Sequence, residues 1–378
     1  MNLDFSDIAP YRDKDVPEAI KALMKEYSFM KVLRYVYPEK DDEQLIEMCE
    51  GIRTVKDFQA QVAYRSMLLM NHGTITALTH SGMEHVKDTG SHLYISNHRD
   101  IILDSALLNM LLHEQGMDTT ETAIGSNLLE NPTVKHLTKL NKNFTVNRNV
   151  SGREQYESSL KLSHYIRHSI TERGSSIWIS QREGRAKDGN DRTQQGLLKM
   201  LQISSKNKPY ESFKDLNILP MALSYEYDPC DVFKVRELLF KAKGENYEKG
   251  RHEDLQNIIA GITQQKGRVH LAIGTPLSDS LNILKQEASV NDLLQEFAKA
   301  IDKRIHKLSR LWPNNYVAYD LLHGRQKFTE HYREDDVEEF VAYCKTVLSD
   351  VRDDNGGRKI LLQKYAFPLE NFLEASHS

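Results

Sequence analysis

The stretch Leu93-Tyr94-Ile95-Ser96-Asn97-His98-Arg99-Asp100-Ile101-Ile102-Leu103-Asp104 decides how this chain is read. A short apolar run meets an Asn-His turn, and a carboxylate follows at the head of a second apolar run with helical character. That is the pattern of a strand passing directly into a helix. The same switch recurs on both sides of it. Short apolar runs predict strands at 93–96, 121–124, 144–147, 175–180, 218–225 and 269–273. Helical patterns lie between most of them, notably at 155–172 and 194–204. Strand–helix alternation predicts an α/β fold, a central sheet flanked by helices, with ligands favoured at the C-terminal ends of the strands.

Outward from this centre the chain becomes helical. Asp15 reads as a helix cap and Pro17 as a first-turn proline, after which Ile20, Leu23, Met24, Tyr27 and Met30 recur at helical spacing as far as Pro38. A second helical stretch at 43–70 is broken near Gly51. Beyond Ser278 helix returns at 290–308 and again in an acidic, aromatic stretch at 330–350. The run Asp353-Asp354-Asn355-Gly356-Gly357 reads as a turn before a final helix. The expected organisation is an N-terminal helical segment at 1–75, a catalytic α/β domain at 76–285 and a C-terminal helical segment at 286–378.

Composition narrows the classes. With 378 residues, 39 % apolar and 28 % charged, the chain can bury a core, so wholesale disorder is excluded. The longest nearly apolar run, 101–112, contains Asp104 and Asn109 and is too short to cross a bilayer. The opening residues are acidic and polar, unlike a secretory signal. Cys49, Cys230 and Cys344 are few, odd in number and far apart, which argues against a disulfide framework or a zinc site and points to a reducing cytoplasm. Charge is uneven. Residues 131–200 hold 13 Lys/Arg against 6 Asp/Glu, a local +7, leaving −11 for the rest of a chain of net charge −4. An anion site explains this better than nucleic acid, because the stretch has few interleaved aromatics and no RNA- or DNA-binding motif.

Several common sites are missing from the sequence: a P-loop, a G-x-G-x-x-G after a strand, H-E-x-x-H and a G-x-S-x-G elbow. What remains is His98 after a strand with carboxylates at Asp100 and Asp104. A histidine fixed by a carboxylate at one nitrogen can take a proton from a hydroxyl with the other. The spacing alone proves nothing; the placement after a strand raises it. The second element is 177–193, in which a strand leads to a loop carrying Arg182, Glu183, Gly184, Arg185, Lys187 and Arg192. Arginine suits bidentate phosphate recognition, and a following helix N-terminus adds backbone donors. Arg148 supplies another cation after the strand ending at Asn147, and Pro220 sits early in the apolar run closed by Tyr225-Glu226.

These four elements, in this order, resemble the glycerolipid acyltransferase superfamily of glycerol-3-phosphate and lysophosphatidate acyltransferases. The matching residues are Asn97-His98, Phe144 with Arg148, Glu183-Gly184-Arg185, and Pro220. Gly125-Ser126-Asn127-Leu128, Tyr225-Glu226 and the later 267–276 stretch look most like the bacterial glycerol-3-phosphate branch. The resemblance covers about residues 80–280. It departs from the family in two places. Five residues, not four, separate His98 from Asp104, so that either Asp104 or Asp100 is the partner. Asp104 is preferred because it alone keeps the carboxylate inside the following helix. Glu-Gly-Arg also replaces the longer Glu-Gly-x-Arg form.

The resemblance implies transfer of a fatty acyl group from acyl-CoA or acyl carrier protein to a hydroxyl of glycerol 3-phosphate or a lysophospholipid, in phospholipid biosynthesis. It implies no metal and no bound cofactor. His98 would be the base, and Arg148, Glu183, Gly184, Arg185, Asn127 and Pro220 would bind substrate. A lipid product without a spanning segment implies a cytoplasmic protein held peripherally on the inner face of the cell membrane. Acyl transfer to an aminolipid hydroxyl, or non-catalytic lipid or acyl binding on the same fold, are the alternatives.

Overall fold

The computed structural model describes residues 4–86, 90–147, 151–205, 208–250, 252–351 and 354–377. Seven strands form one sheet: β1 (Ile75–Ser81), β2 (Leu93–Ser96), β3 (Glu121–Gly125), β4 (Asn143–Val146), β5 (Ile177–Ser180), β6 (Ile218–Tyr225) and β7 (Gly267–Ile273). Their order is β1-β7-β6-β2-β5-β3-β4, and every neighbouring pair is parallel except β6 with β7. The fold is therefore α/β with a central sheet flanked by helices, as the alternation predicts.

β2 and β6 are buried at every position, which is why they read as continuous apolar runs. Successive side chains point to opposite faces. Leu93, Ile95, Ile177, Ile179 and Ile218 join Phe297, Ile301 and Ile305 of the Val290–Leu308 helix on one side. Tyr94, Trp178, Leu219 and Met221 join Leu103, Leu107, Leu108 and Leu111 of the Leu103–Glu114 helix on the other. Thus the segment beyond residue 286 builds one face of the central core. Proline inside a central strand is unusual because it has no N–H to give. Here Pro220 keeps its carbonyl paired, accepting from Gly274 N at 2.8 Å. A Cβ at Gly274 would lie 2.9 Å from the proline ring.

The helices before β1 pack on their own core, with Val16, Leu23, Leu33, Leu45 and Phe58 meeting Leu140. The structure departs from the sequence pattern in four places. Asp15 stands at the cap position of Val16–Leu23, but its carboxylate takes the N–H of Arg12 instead. The helical run before Pro38 is two helices, Val16–Leu23 and Tyr27–Val36. β1 has no counterpart among the predicted strands: it is an exposed edge strand of mixed residues, without an apolar face to mark it. Finally, the last helix, Asp354–His377, already begins at Asp354, inside the 353–357 run expected to form a turn, and carries both glycines. Gly357 is used for close helix packing, since a Cβ there would sit 2.8 Å from Leu348.

Candidate active site

The C-terminal ends of β2, β5 and β6 lie side by side, so the loops that leave them converge. Asn97 extends the β2–β6 ladder by one step: its amide donates to Leu223 O at 2.8 Å and accepts from Leu223 N at 2.8 Å. This fixes the start of the His98 turn. His98 Nδ1 then donates to Asp104 Oδ2 at 2.8 Å. The Asp104 carboxylate is fully buried and also accepts the N–H of Arg99 at 2.6 Å, the N–H of Asp100 at 3.1 Å and the Tyr225 hydroxyl at 2.9 Å. With Nδ1 committed as donor, Nε2 keeps its lone pair for a substrate hydroxyl. The imidazole is 15 % exposed and stands edge-on to Trp178, with ring centroids 5.6 Å apart. Trp178 is held in turn by a 3.0 Å bond from its indole N–H to Ser96 Oγ.

The two carboxylates have separate tasks. Asp100 Oδ1 accepts the N–H groups of Ile102 at 2.9 Å and Leu103 at 2.8 Å, turning the chain into the helix. Its other oxygen faces Gly261, where a Cβ would come within 2.1 Å. Burial first, and then the charge of Asp104, push the Asp100 carboxyl above its ordinary range. The five-residue spacing is accommodated because the turn folds its N–H groups at 99 and 100 back onto Asp104.

The β5 loop lies against this turn, with Ala186 N donating to His98 O at 3.1 Å. Gly184 takes φ +69°, a conformation that favours glycine. Lys187 pairs with Glu237, and Arg192 pairs with Glu374 at 2.6 Å. Among the described residues, Arg182 and Arg185 have no carboxylate in salt-bridge contact. Arg185 Nη2 donates to Asn257 Oδ1 at 3.0 Å, while Arg185 Nη1 and Arg182 Nε are buried without a partner among the described residues. Glu183 is exposed. Asn127 is exposed on the turn Ser126–Leu129 beyond β3, at the same rim. Pro220 lies inside buried β6 rather than in a loop, so the structure places it in the scaffold, away from the rim. Arg148 falls outside the described residues.

Some participants were not among the sequence candidates. Tyr225, on the Asp104 carboxylate, reads in the sequence only as the end of a strand. Arg99 donates to Asp191 at 2.5 Å, closing the His98 turn onto the β5 loop. Its backbone carbonyl accepts from Lys234 at 2.7 Å. Nothing in local sequence marks these, because their partners stand far along the chain.

Comparison with known proteins bears on this rim. Residues 77–224 match the family model described as Acyltransferase, a segment that takes in His98, Asp104, Arg185 and nearly all of β6. That match supports the acyltransferase superfamily for this segment. No curated protein matches the chain. One solved structure that it resembles is the 1-acyl-sn-glycerophosphate (LPA) acyltransferase, PlsC, from Thermotoga maritima. The two are 14 % identical, and the likeness covers 78 % of this chain and 97 % of that one with a TM-score of 0.37. A likeness of that degree says nothing of substrate.

Proposed function

We propose that this protein is an O-acyltransferase that moves a fatty acyl group from a thioester to a hydroxyl of a phosphorylated glycerol. The observation that carries it is the Asp104–His98 pair at the end of β2, with Nδ1 fixed and Nε2 without a hydrogen-bond partner among the described residues, inside the segment that matches an acyltransferase family. In the reaction, Nε2 takes the acceptor hydroxyl proton as the oxygen attacks the thioester carbonyl. The tetrahedral intermediate then collapses with cleavage of the C–S bond. The imidazolium returns its proton to the thiolate, and buried Asp104 stabilises the imidazolium meanwhile. Arg185 and Arg182, with unfilled donors beside this turn, suit the acceptor phosphate. Holding that phosphate fixes the hydroxyl near His98. Arg148 would join them. Between glycerol 3-phosphate and a lysophospholipid, the resemblance of 125–128, Tyr225-Glu226 and 267–276 to the bacterial branch favours glycerol 3-phosphate. Acyl-CoA and acyl carrier protein are the donors to be compared.

A peripheral position on the cytoplasmic face of the membrane belongs to the same reading. Among the described residues no helix is long and apolar enough to cross a membrane. The Glu253–Thr263 helix supports surface attachment. It turns Asn257 and Gly261 inward, over Arg185 and Asp100, while Leu255 and Ile259 stand 54 % and 51 % exposed. It packs on the Arg65–Thr74 helix, where Leu68 and Leu69 are also exposed. Apolar side chains turned outward beside the site suit shallow insertion among lipids.

The test is purified protein with labelled acyl-CoA and acyl carrier protein against glycerol 3-phosphate, lysophosphatidate and an aminolipid. Transfer to a phosphorylated glycerol that is lost in His98→Ala supports the reading. Transfer only to the aminolipid moves the acceptor class. No transfer from either thioester overturns the proposal.

A further inference from the structure

A group of charged side chains that the reaction does not use lies directly behind the His98 turn. Lys234, on the Asp231–Ala242 helix, is 1 % exposed. Its ammonium ion-pairs with Asp228 and donates to the carbonyl of Arg99 at 2.7 Å. Asp228 is shared with Lys364 of the last helix at 2.7 Å, and Lys364 also meets Asp231 at 2.5 Å. The Tyr343 and Tyr365 hydroxyls donate to Asp231 at 2.6 Å and 2.7 Å. Two cations thus face two carboxylates, all buried, in a region beyond the segment that matches the family. Burial opposes ionisation of Asp228, yet the two ammonium groups hold its carboxyl below the ordinary range.

What makes this group more than packing is the atom that Lys234 touches. The Arg99 carbonyl belongs to the same peptide unit as the Asp100 N–H, and that N–H donates to Asp104 Oδ2 at 3.1 Å. Asp104 Oδ2 is in turn the acceptor for His98 Nδ1–H. Amide resonance links the two ends of a peptide unit. A cation on the oxygen draws electron density toward it and strengthens the donor on the nitrogen, as chains of hydrogen bonds polarise one another in a low-dielectric interior. The Asp100 N–H so strengthened pins the Asp104 carboxylate in the orientation that meets His98 Nδ1; the effect on His98 is one of position. A methionine would fill the same space without the desolvation cost of an ammonium, but it would leave this carbonyl without its cation.

We propose that Lys234 is a positioning residue for His98, acting through the Arg99–Asp100 peptide on Asp104, with Asp228 and Lys364 holding it in place. The proposal rests on His98 as the base of the reaction above. It ties the last helix of the chain to a histidine at the far side of the network.

The experiment uses the full chain labelled with 15N-histidine, as wild type, Lys234→Met and Lys234→Met/Asp228→Asn. Lys139→Met serves as a buried-lysine control, since its ammonium caps the carbonyls of Ile8 and Ala9 away from this network. Thermal unfolding establishes which variants fold. Imidazole 15N spectra, with the His98 signal identified by its loss in His98→Ala, read the tautomer directly. In folded Lys234→Met the Nε2–H tautomer of His98 grows at the expense of Nδ1–H. The value of kcat falls about tenfold, the scale of one charged hydrogen bond, with KM for both substrates little changed. Lys139→Met leaves the tautomer as in wild type. A wild-type tautomer in folded Lys234→Met overturns the proposal, as does an equal change in Lys139→Met, which would reflect general loosening. Where the single variant does not fold, the double variant decides by the same spectra. Absence of transfer by the wild type would refute the functional reading, while the spectra still decide the relay.

Discussion

The two loops that meet at the rim of the sheet are finished to different degrees. In the His98 turn almost every polar group has an internal partner: Asn97 is paired with Leu223, Asp104 accepts four hydrogen bonds and Asp100 caps the following helix. In the β5 loop, Arg182 Nε, Arg185 Nη1, Asp191 Oδ1 and both amide atoms of Gln181 are buried without a partner among the described residues. Native interiors tolerate few such groups, so a cluster of them calls for an explanation. The difference teaches a division of labour. His98 is oriented by the fold itself, whereas Arg182 and Arg185 keep donors without a partner among the described residues, as the proposed roles of base and anion site require.

The largest effect expected from this contrast is at the finished loop. His98→Ala should fold normally, because the ring stands at the rim, and should lose about 10²–10⁴-fold in acyl transfer. Asp104→Asn should approach that loss, while Asp100→Asn should lower the melting temperature more than kcat. Equal turnover losses from the two Asn variants would erase the distinction drawn between the carboxylates. Initial rates and thermal melts on the three proteins decide it.

A smaller effect belongs to the unfinished loop. Arg185→Ala should cut kcat/KM for the phosphorylated acceptor by about tenfold, the weight of one charged contact, with KM for the thioester little altered. Lysine should rescue poorly, because it lacks the planar fork. Glycerol 3-phosphate should raise the melting temperature of wild type and not of Arg185→Ala. An equal rise in both proteins would remove Arg185 from the phosphate site.

Away from the chemistry, Leu255→Ser/Ile259→Ser should keep turnover with soluble substrates but reduce co-sedimentation with anionic vesicles. Unchanged vesicle binding would move attachment to another face. Basic residues of the 131–200 region should make wild-type binding weaker in high salt, because exposed charges are screened beyond about 8 Å at physiological ionic strength.

The smallest effect is on stability. Burial lowers the Lys139 ammonium to about 8 from its ordinary 10.5. Between these values the unfolded chain binds more protons at this residue than the folded one, so its contribution rises with pH. Wild type should therefore gain on Lys139→Met as pH increases from about 8 to 10.5, measured by denaturant unfolding at matched ionic strength. A difference that stays flat across that window would contradict the burial of a charged Lys139.

How far the sequence reached depended on whether the deciding contacts were local. β2 and β6 were legible end to end because strands covered on both faces leave uninterrupted apolar runs. The Val290–Leu308 helix was legible from its one-sided periodicity. β1 was hidden because an exposed edge strand lacks a buried face. The last helix was read late because Gly356-Gly357 has the look of a turn, while its use in helix packing depends on Leu348.

At the rim the same rule holds. The sequence by itself determined a histidine after a strand, carboxylates within reach and a loop of cations, since these are consecutive residues whose spacing is visible. Only the tertiary structure decided that Asp104 and not Asp100 meets His98, because that depends on how the turn folds its N–H groups back. It also decided that Lys187 and Arg192 are ion-paired, while Arg182 and Arg185 have no carboxylate partner among the described residues. The link from Lys364 through Asp228 and Lys234 to the Arg99 carbonyl was beyond any local reading. Its partners lie more than a hundred residues apart at two of the three steps, and only the packing of the last helix against the Asp231–Ala242 helix brings their charges into one dry interior, where pairing is strongest.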